Sequence, residues 1–373
     1  MVVIVEERVY WLWLQHAFGA GSTKPASIAR RYESIEAFYK EKRWNQFDFI
    51  SDSELNALKS YTLDYAQAQI EYCEKMGQTV ISYGDYNYPD KLRHIENPPS
   101  VLFVKGTLPD FDDNLTISIV GSRKASSGAL MLTEKISREL SIEGTVVVSG
   151  GALGVDTAAH KGAMKGTSPT VAILPCSLDF PYLMQNQKLR NQIIETGGAL
   201  ISEYPVNSAV YKGNFVIRNR IISGLCNGLL VSEAAVKSGT MITVAHATRQ
   251  NKDIFAFPGD VNSLTSSGSN KLIVDGATPV LDVKDILDGY KCLTKGKNNA
   301  VNLVKDDNTE KITNLGLSKN AQMIYTVLTK TPVHVTTICE ITDLKISKVL
   351  ASITELELMG YIKTYSGQRC SLI

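Results

Sequence analysis

Short apolar segments separated by helical patterns dominate the middle of this chain. Each segment ends in a glycine, a proline or a small-residue turn, and the segments cover residues 117–120, 146–148, 171–174, 229–231 and 254–256. Strands that are apolar along their whole length are buried on both faces, which is typical of a parallel sheet covered by helices. The ligand crevice of such a sheet lies beyond the carboxyl ends of its strands, so we expect the turns there to carry the functional residues.

The chain of 373 residues is longer than one typical domain. Residues 1–80 have helical patterns and predict a small helical domain of the SAM or helix-hairpin-helix type. Residues 81–295 hold the apolar segments, preceded by an expected edge strand at 100–104. Residues 296–317 are polar and predict a linker. Residues 318–373 predict three helices and a hairpin, a winged-helix domain. The expected class is therefore α/β, with smaller domains on both sides of the parallel sheet.

The composition indicates an ordinary water-soluble protein, with 44% apolar and 21% charged residues. No apolar run approaches the roughly 20 residues of a membrane span, and the N-terminus lacks the features of a signal peptide. The six cysteines are scattered, which predicts reduced thiols in the cytoplasm and neither a zinc site nor a disulfide framework. Because the formal net charge is only +1, a nucleic-acid site would need locally concentrated positive charge.

Two features of the flanking domains leave their role open. The turn Phe18-Gly-Ala-Gly21 could bring backbone N–H groups to a phosphate, or it could simply be a tight connection between helices. The third helix of the winged-helix domain mixes Lys345 and Lys348 with Glu355 and Glu357, so it lacks the basic face of a strong DNA reader. A protein-contact or packing role is an equal alternative.

Two glycine turns follow neighbouring strands. After the first comes Gly121-Ser-Arg-Lys124, in which Ser122 and nearby N–H groups could hold an anion beside Arg123. After the second, Gly150 and Gly151 could form a second anion cradle. Either turn could also be purely structural. Neither matches the dinucleotide fingerprint and the chain has no Walker A sequence, so we expect no nucleotide cofactor.

Asp156 and His160 are spaced i, i+4 and are expected to pair on one face of a helix. An acid beside a base can serve hydrolysis, but no nucleophile stands next to them in the sequence. We therefore interpret the pair as helix-stabilising and expect no catalytic residues, no metal site and no enzymatic activity.

The stretch Lys212-Gly-Asn-Phe-Val-Ile-Arg-Asn-Arg220 combines cations, an aromatic ring and amides. Lysine and arginine contact phosphates, a phenylalanine ring can stack on a base, and an asparagine can reach a base edge or sugar. If the stretch is helical, Arg218 lies one turn after Phe215 on the same face. The alternative is an amphipathic helix with Phe215, Ile217 and Ile221 in the core and solvated arginines.

Taken together, these motifs resemble the DNA processing protein A family (DprA/Smf). The similarity runs in order over about residues 80–290. It rests on Ile119-Val-Gly-Ser-Arg123, Ser149-Gly-Gly-Ala152 with Asp156 and His160, Leu178-Asp179 with Tyr182 and Asn186, Ser202-Glu-Tyr-Pro205, Asn214-Phe215, Arg218-Asn-Arg-Ile-Ile-Ser-Gly224, Glu233-Ala234, Ser238-Gly239, Phe257-Pro-Gly259, Gly268-Ser-Asn270 and Asp275-Gly-Ala277. The chain departs from the family pattern at Leu183 and Val216, where proline is usual, and at Gln187.

The resemblance implies an extended Rossmann-like fold that binds single-stranded DNA without sequence preference. It also implies delivery of the RecA recombinase to that DNA in natural transformation of competent cells, and a homodimer formed through the late part of the Rossmann-like domain. The motifs and the resemblance together predict one DNA-binding set: Gly121, Ser122, Arg123, Gly150, Gly151, Lys212, Phe215, Arg218, Asn219 and Arg220.

Two other functions stay open at this point. Phosphoribohydrolases that release bases from nucleotides share the general architecture, but they use a Pro-Gly-Gly-x-Gly-Thr-x-x-Glu motif. The corresponding place here, from Val231 to Thr240, lacks the glycine run and the trailing glutamate. The second alternative is an interaction scaffold without DNA binding, to which the near-neutral charge would be suited.

Overall fold

The computed structural model describes residues 6–290, 317–328, 333–342, 344, 346–365 and 369–372. The chain divides into two compact units, Met1–Thr294 and Lys295–Ile373. Residues 296–316 of the predicted linker lie outside the described residues. Within the described residues, no helix is both long and apolar enough to cross a bilayer.

The first unit begins with helices that pack around the tryptophan-rich α1. These are α1 (Glu7–Phe18), α2 (Lys24–Ala29), α3 (Ile35–Glu41), α4 (Asp52–Ser60) and α5 (Leu63–Lys75). Hydroxyl side chains cap three of them: Ser34 caps α3, Ser51 forms a capping box on α4, and Thr62 caps α5. Trp11 and Trp13 are buried in a core shared with Phe103 of the sheet. The helical region is therefore packed onto the sheet through this common core.

A sheet of nine strands forms the centre of the first unit. The strands are β1 (Gln78–Ser82), β2 (Val101–Gly106), β3 (Thr116–Val120), β4 (Val146–Ser149), β5 (Thr170–Leu174), β6 (Ala199–Ser202), β7 (Gly228–Val231), β8 (Asp253–Ala256) and β9 (Thr278–Pro279). Their order is β1-β2-β6-β5-β4-β3-β7-β8-β9. The strands from β3 to β9 pair in parallel, whereas β2 is antiparallel to both of its neighbours.

Helices between the strands cover both faces of this sheet. They are α6 (Asp90–Arg93), α7 (Ser127–Ile142), α8 (Val155–Ala163), α9 (Gln187–Glu195), α10 (Lys212–Leu225), α11 (Thr240–Arg249), α12 (Ser267–Val274) and α13 (Lys284–Leu287). Consecutive strand residues contribute to separate cores: Val146 and Val148 to one, and Val147 to the other. This alternation confirms the predicted parallel sheet buried on both faces.

Two features at the start of the sheet differ from the sequence prediction. Residues 100–104 were expected to form an edge strand, but β2 lies between β1 and β6. The edge strand is β1, which crosses the predicted domain boundary at residue 80. The sequence offers little signal for β1, because its adjacent apolar residues Val80 and Ile81 follow directly on a helix and show no alternation.

The second unit has the predicted three helices and hairpin of a winged helix. Its elements are α14 (Lys319–Val327), α15 (Val335–Thr342), α16 (Ile346–Leu358), β10 (Val333–His334), β11 (Ile362–Tyr365) and β12 (Arg369–Leu372). The strand order is β10-β12-β11, with antiparallel pairing throughout. A core that includes Ile324, Ile338, Val349 and Leu356 holds the helices together.

Candidate nucleic-acid interface

Most of the predicted site residues lie where the strand order of the sheet changes direction. From β3 the chain adds β4, β5 and β6 on one side and then returns to place β7 on the other. The loops that leave neighbouring strands therefore diverge at the carboxyl end of β3, which is where open α/β sheets form ligand crevices. We call the surface made by residues 121–126, 149–154, 178–186 and the first turn of α10 the rim.

The turn after β3 presents Arg123 to solvent. Glu233 holds this turn in place: its backbone oxygen accepts the Ser122 N–H at 2.7 Å, and its buried carboxylate accepts the Ser126 hydroxyl at 2.6 Å. Gly121 has no space for a side chain, because a Cβ there would lie 2.6 Å from Cγ2 of Val155. The result is a rigid turn from which Arg123 projects.

The turn after β4 lies just below the surface. The Gly150 carbonyl accepts Nη1 of Arg218 at 2.7 Å, and the Gly151 carbonyl accepts Nδ2 of Asn186 at 3.1 Å. Gly151 has φ +65°, a conformation that favours glycine. A Cβ on Gly150 would lie 2.7 Å from both Nη2 of Arg218 and Oδ2 of Asp156. Both glycines are buried, so side chains fix this turn from beneath.

Helix α10 begins at the rim and presents Lys212 and Phe215. Nδ2 of Asn214 fixes the helix start by donating to the carbonyl of Pro175 at 2.9 Å. Lys212 is exposed, whereas Phe215 is partly buried. The Arg123 guanidinium lies 4.8 Å from the centroid of the Phe215 ring, and the Tyr182 ring meets the same phenylalanine at 6.0 Å in an edge-on arrangement. A cation and an aromatic wall thus flank one stacking surface.

Arg218 is not placed on the surface beside Phe215. Its side chain is only 4% exposed, and Nη1 donates to the backbone oxygens of Gly150 and Ile173. Burial lowers the pKa of Arg218, while the nearby Asp156 carboxylate opposes that shift. Asn219 is partly exposed, and its Oδ1 accepts Nε of Arg218 at 3.3 Å. Phe215 and Arg218 therefore do not share the predicted exposed face, because α10 turns its Arg218 side toward the sheet.

Arg220 is also in the interior, at 1% exposure. Nη2 pairs with Oε1 of Glu203 at 2.7 Å, and Nε donates to the carbonyl of Asn97 at 2.9 Å. A sequence pattern cannot separate a buried arginine from a solvated one when each stands one helical turn from apolar residues. Of the four predicted cations, Arg123 and Lys212 are therefore the two at the surface of this structure.

The predicted pair between Asp156 and His160 is not formed. Nδ1 of His160 contacts Oγ1 of Thr170 at 2.8 Å, on β5, whereas Oδ2 of Asp156 accepts the Ala152 N–H at 3.2 Å. Burial, together with the positive charge of Arg218, lowers the pKa of His160 to about 3. Burial raises the pKa of Asp156, and Arg218 opposes that rise. The two residues therefore have separate structural roles in α8.

The turn between α1 and α2 uses its glycine N–H groups within the protein. The Gly19 N–H donates to the carbonyl of Gln15 at 2.9 Å, and the Gly21 N–H donates to Oε1 of Glu203 at 2.9 Å. Neither group is directed to solvent for a phosphate. Among the described residues there is also no cluster of side chains suited to a metal ion.

Sequence reasoning gave no role to two residues that shape the rim. Tyr182 forms a wall for Phe215, and Asn186 supports the glycine turn by also donating to Oγ1 of Thr157 at 3.0 Å. Both stand within the motifs that carried the family resemblance. Their contacts, however, come from residues about 30 positions away, which no local pattern indicates.

The comparisons with known proteins point to one family. The sequence profile described as DNA recombination-mediator protein A matches residues 79–291, and that of the DprA winged helix domain matches residues 313–368. Protein Smf of Synechocystis sp. is 29% identical over 392 residues, covering 97% of this chain and 98% of that protein. DNA processing protein DprA of Streptococcus pneumoniae is 38% identical over 200 residues, covering 54% and 70%.

Two solved structures are similar to this fold. The X-ray structure of DNA processing protein A from Streptococcus pneumoniae has a TM-score of 0.58 at 33% identity, covering 63% of this chain and 81% of that one. A structure that gives insight into the unique single-stranded DNA binding mode of DNA processing protein A from Helicobacter pylori has a TM-score of 0.52 at 31% identity, covering 57% and 95%. Since the first profile spans more than half of the chain, the protein belongs to the DNA recombination-mediator protein A family, whose members are also called DprA or Smf.

Proposed function

We propose that this protein binds single-stranded DNA without sequence preference, as a non-enzymatic DNA-processing protein of the cytoplasm. The observation that carries the proposal is the arrangement of Arg123, Phe215 and Lys212 at the carboxyl end of the parallel strands. Phe215 supplies a stacking face, Arg123 in the turn after β3 lies against it, and the exposed Lys212 stands in the same first turn of α10. Cations that follow a backbone beside a stacking ring are the usual elements of single-strand binding.

The charge needed for this interaction is local. Arg123, Lys124 and Lys212 are exposed, and none of them forms an ion pair with another described residue. The buried Arg218 adds positive charge close to the rim, near enough to interact electrostatically with Arg123. A protein with a formal net charge of +1 can in this way present a positive surface to phosphates.

Stacking on Phe215 needs no particular base, because every base has a π-face. The rim carries exposed cations, which contact phosphates and so carry no sequence information. Helicobacter pylori DNA processing protein A, which is similar over 57% of this chain, has a described single-stranded DNA binding mode. That relationship supports the same ligand class here.

We further propose that the protein delivers the RecA recombinase to single-stranded DNA in natural transformation. Membership of the recombination-mediator family supports this role. The direct test is RecA-catalysed strand exchange on DNA that is first coated with a single-strand binding protein. Stimulation by this protein is expected, and loss of stimulation in Arg123→Ala/Lys212→Ala would tie the delivery to the rim.

A homodimer is proposed through the late part of the Rossmann-like domain. Val261, Leu264, Val274 and Leu281 are large apolar side chains that are strongly exposed between β8 and α13. Exposed apolar groups of this kind mark interaction surfaces. Sedimentation of the full chain should give the mass of a dimer, and Leu264→Glu/Val274→Glu should shift it to the monomer.

Single-strand binding itself is tested by anisotropy of labelled oligo-dT against a duplex of equal length. Preference for the single strand supports the proposal. Absence of binding at low salt would favour a scaffold, and release of free base from a purine nucleotide would favour a phosphoribohydrolase. The carboxylate of Glu233, which stands in the corresponding region, is already engaged in fixing Ser126.

A further inference from the structure

The turn between α1 and α2 is packed directly against the proposed DNA-binding helix. Gly21 in this turn donates its N–H to Oε1 of Glu203 at 2.9 Å and accepts Nδ2 of Asn97 on its carbonyl at 3.2 Å. A Cβ at Gly21 would lie 2.8 Å from Cγ2 of Ile217, a residue of α10. The helical region therefore touches α10 with no space for even one additional methyl group.

A buried ion pair completes this contact. Arg220 of α10 and Glu203 pair at 2.7 Å, with side chains that are 1% and 2% exposed. The same Oε1 of Glu203 that receives the Arg220 guanidinium also accepts the N–H of Gly21. Nε2 of Gln15, near the end of α1, donates to the backbone oxygen of Glu203 at 2.9 Å. One glutamate thus links the helical region, the segment after β6 and the middle of α10.

The ion pair is a poor device for stability alone. Removing two charges from water offsets most of their attraction, so apolar residues of similar volume often stabilise a fold as well or better. Here the other carboxylate oxygen of Glu203 is buried without a hydrogen-bond partner among the described residues, which adds to the cost. The pair instead fixes the orientation of α10, because its hydrogen bonds form in one orientation of that helix only.

We propose that Glu203 and Arg220 are positioning residues, and that through them and Gly21 the N-terminal helical region sets the orientation of α10. That orientation places the start of α10, with Lys212 and Phe215, at the rim, where Phe215 meets Arg123. The expected effect on DNA affinity rests on the proposed single-strand binding, whereas the expected effect on the orientation of α10 does not. Arg220 acts on DNA through the helix that carries it.

The closing experiment compares Gly21→Ala with Gly19→Ala in the full chain. Gly19 and Gly21 have nearly the same positive φ, +75° and +77°, but a Cβ on Gly19 meets nothing within 4 Å. Both variants therefore place an alanine at a positive φ, and only Gly21→Ala also displaces the turn from Ile217. We expect faster hydrogen exchange in residues 212–219 for Gly21→Ala alone. Its oligo-dT affinity should fall about fivefold with an unchanged salt slope.

A second variant guards against a simple loss of folding. Glu203→Leu/Arg220→Met replaces both partners of the ion pair with apolar side chains, so no unpaired charge is left in the interior and its melting temperature should stay above that of Arg220→Met alone. We expect α10 to exchange faster in this variant and single-strand affinity to fall, because the directional bonds are gone. A folded double variant with wild-type hydrogen exchange in residues 212–219 and wild-type affinity for oligo-dT would overturn the positioning role.

The remaining outcomes separate this inference from the proposed function. If Gly19→Ala weakens binding and flattens the salt slope, the turn contacts phosphate itself and the inference is wrong. If the double variant flattens the slope, Arg220 contacts phosphate and the inference is again wrong. If the wild type ignores oligo-dT, single-strand binding fails as the function. The exchange rates of residues 212–219 then still decide whether the helical region positions α10.

Discussion

The guanidinium of Arg123 lies over the ring of Phe215, with 4.8 Å between its Cζ atom and the ring centroid. The two residues come from different elements, the turn after β3 and the first turn of α10. Tyr182 contacts the same ring edge-on at 6.0 Å. Because two side chains of the protein itself contact the ring, its orientation is restricted before a base stacks on it, which reduces the entropy lost on binding.

Phe215→Ala should weaken oligo-dT binding by about 1–3 kcal/mol, the value of one stacked base, and leave the salt slope unchanged. Phe215→Tyr, which keeps the aromatic face, should retain most of the affinity. Anisotropy titrations at two salt concentrations measure both quantities. Tyr72→Ala on α5 is the control for loss of an exposed ring. A Phe215→Ala variant that binds as tightly as the wild type would show that base stacking on Phe215 does not contribute to binding.

Arg218→Met should destabilise the fold by about 3 kcal/mol, because it leaves the buried Asp156 without its nearby positive charge and two backbone oxygens without their donor. Urea denaturation measures this change. Arg123→Ala removes an exposed side chain and should alter stability by no more than about 0.5 kcal/mol. An Arg218→Met protein of wild-type stability would contradict the structural role given to this arginine.

Gly150→Ala should abolish tight binding as well as lower stability, since its Cβ would collide with Arg218 and Asp156 at 2.7 Å. Gly213→Ala is the matched control in the first turn of α10, where a Cβ meets nothing within 4 Å. Replacing a helical glycine there should stabilise the helix by up to about 1 kcal/mol. Thermal melts and oligo-dT titrations of both variants decide the matter. Equal melting temperatures and oligo-dT affinities of the two variants would show that the buried side chains do not constrain the glycine turn.

Stability should fall as the pH drops from about 6.5 toward 5, and His160 should account for a measurable part of the loss. Its pKa is lowered from 6.5 to about 3 in the folded protein, so in this window the unfolded chain binds a proton that the folded chain does not. The free energy of unfolding then decreases by up to about 1.4 kcal/mol per pH unit for each such histidine.

His16, with a pKa lowered to about 4, contributes in the same direction. His160→Gln should therefore reduce, but not remove, the pH dependence of urea unfolding. A variant whose stability varies with pH as steeply as that of the wild type would show that His160 is not buried in its neutral form.

The sequence predicted the parallel sheet and the winged helix because strands that are apolar along their whole length and helical periodicity are strong signals. It did not predict β1, whose identity depends on pairing with β2 and on the core shared with α1. It also assigned surface roles to Arg218 and Arg220. Each is buried by partners distant in the chain, such as Ile173, Gly150 and Glu203, and only the tertiary structure supplies those.

Arg123, Lys212 and Phe215 were recognisable from their types and their positions at strand and helix ends. Their arrangement around one stacking face was not, since it depends on how far the turn after β3 extends toward α10. The supporting contacts of Tyr182, Asn186 and Glu233 also depend on the tertiary structure and could not be predicted from local sequence. Local sequence indicates candidate binding residues, and the fold decides which of them reach the surface.

The central claim is tested most directly by oligo-dT affinity across a salt series for the wild type, Arg123→Ala, Lys212→Ala and Lys75→Ala. Lys75 is an exposed cation just before β1, an edge strand that four strands separate from β3. Each rim variant should bind more weakly and reduce the log–log salt slope by about 0.7, and Lys75→Ala should match the wild type. Equal slopes in all four proteins would contradict the assignment of the rim as the surface that binds single-stranded DNA.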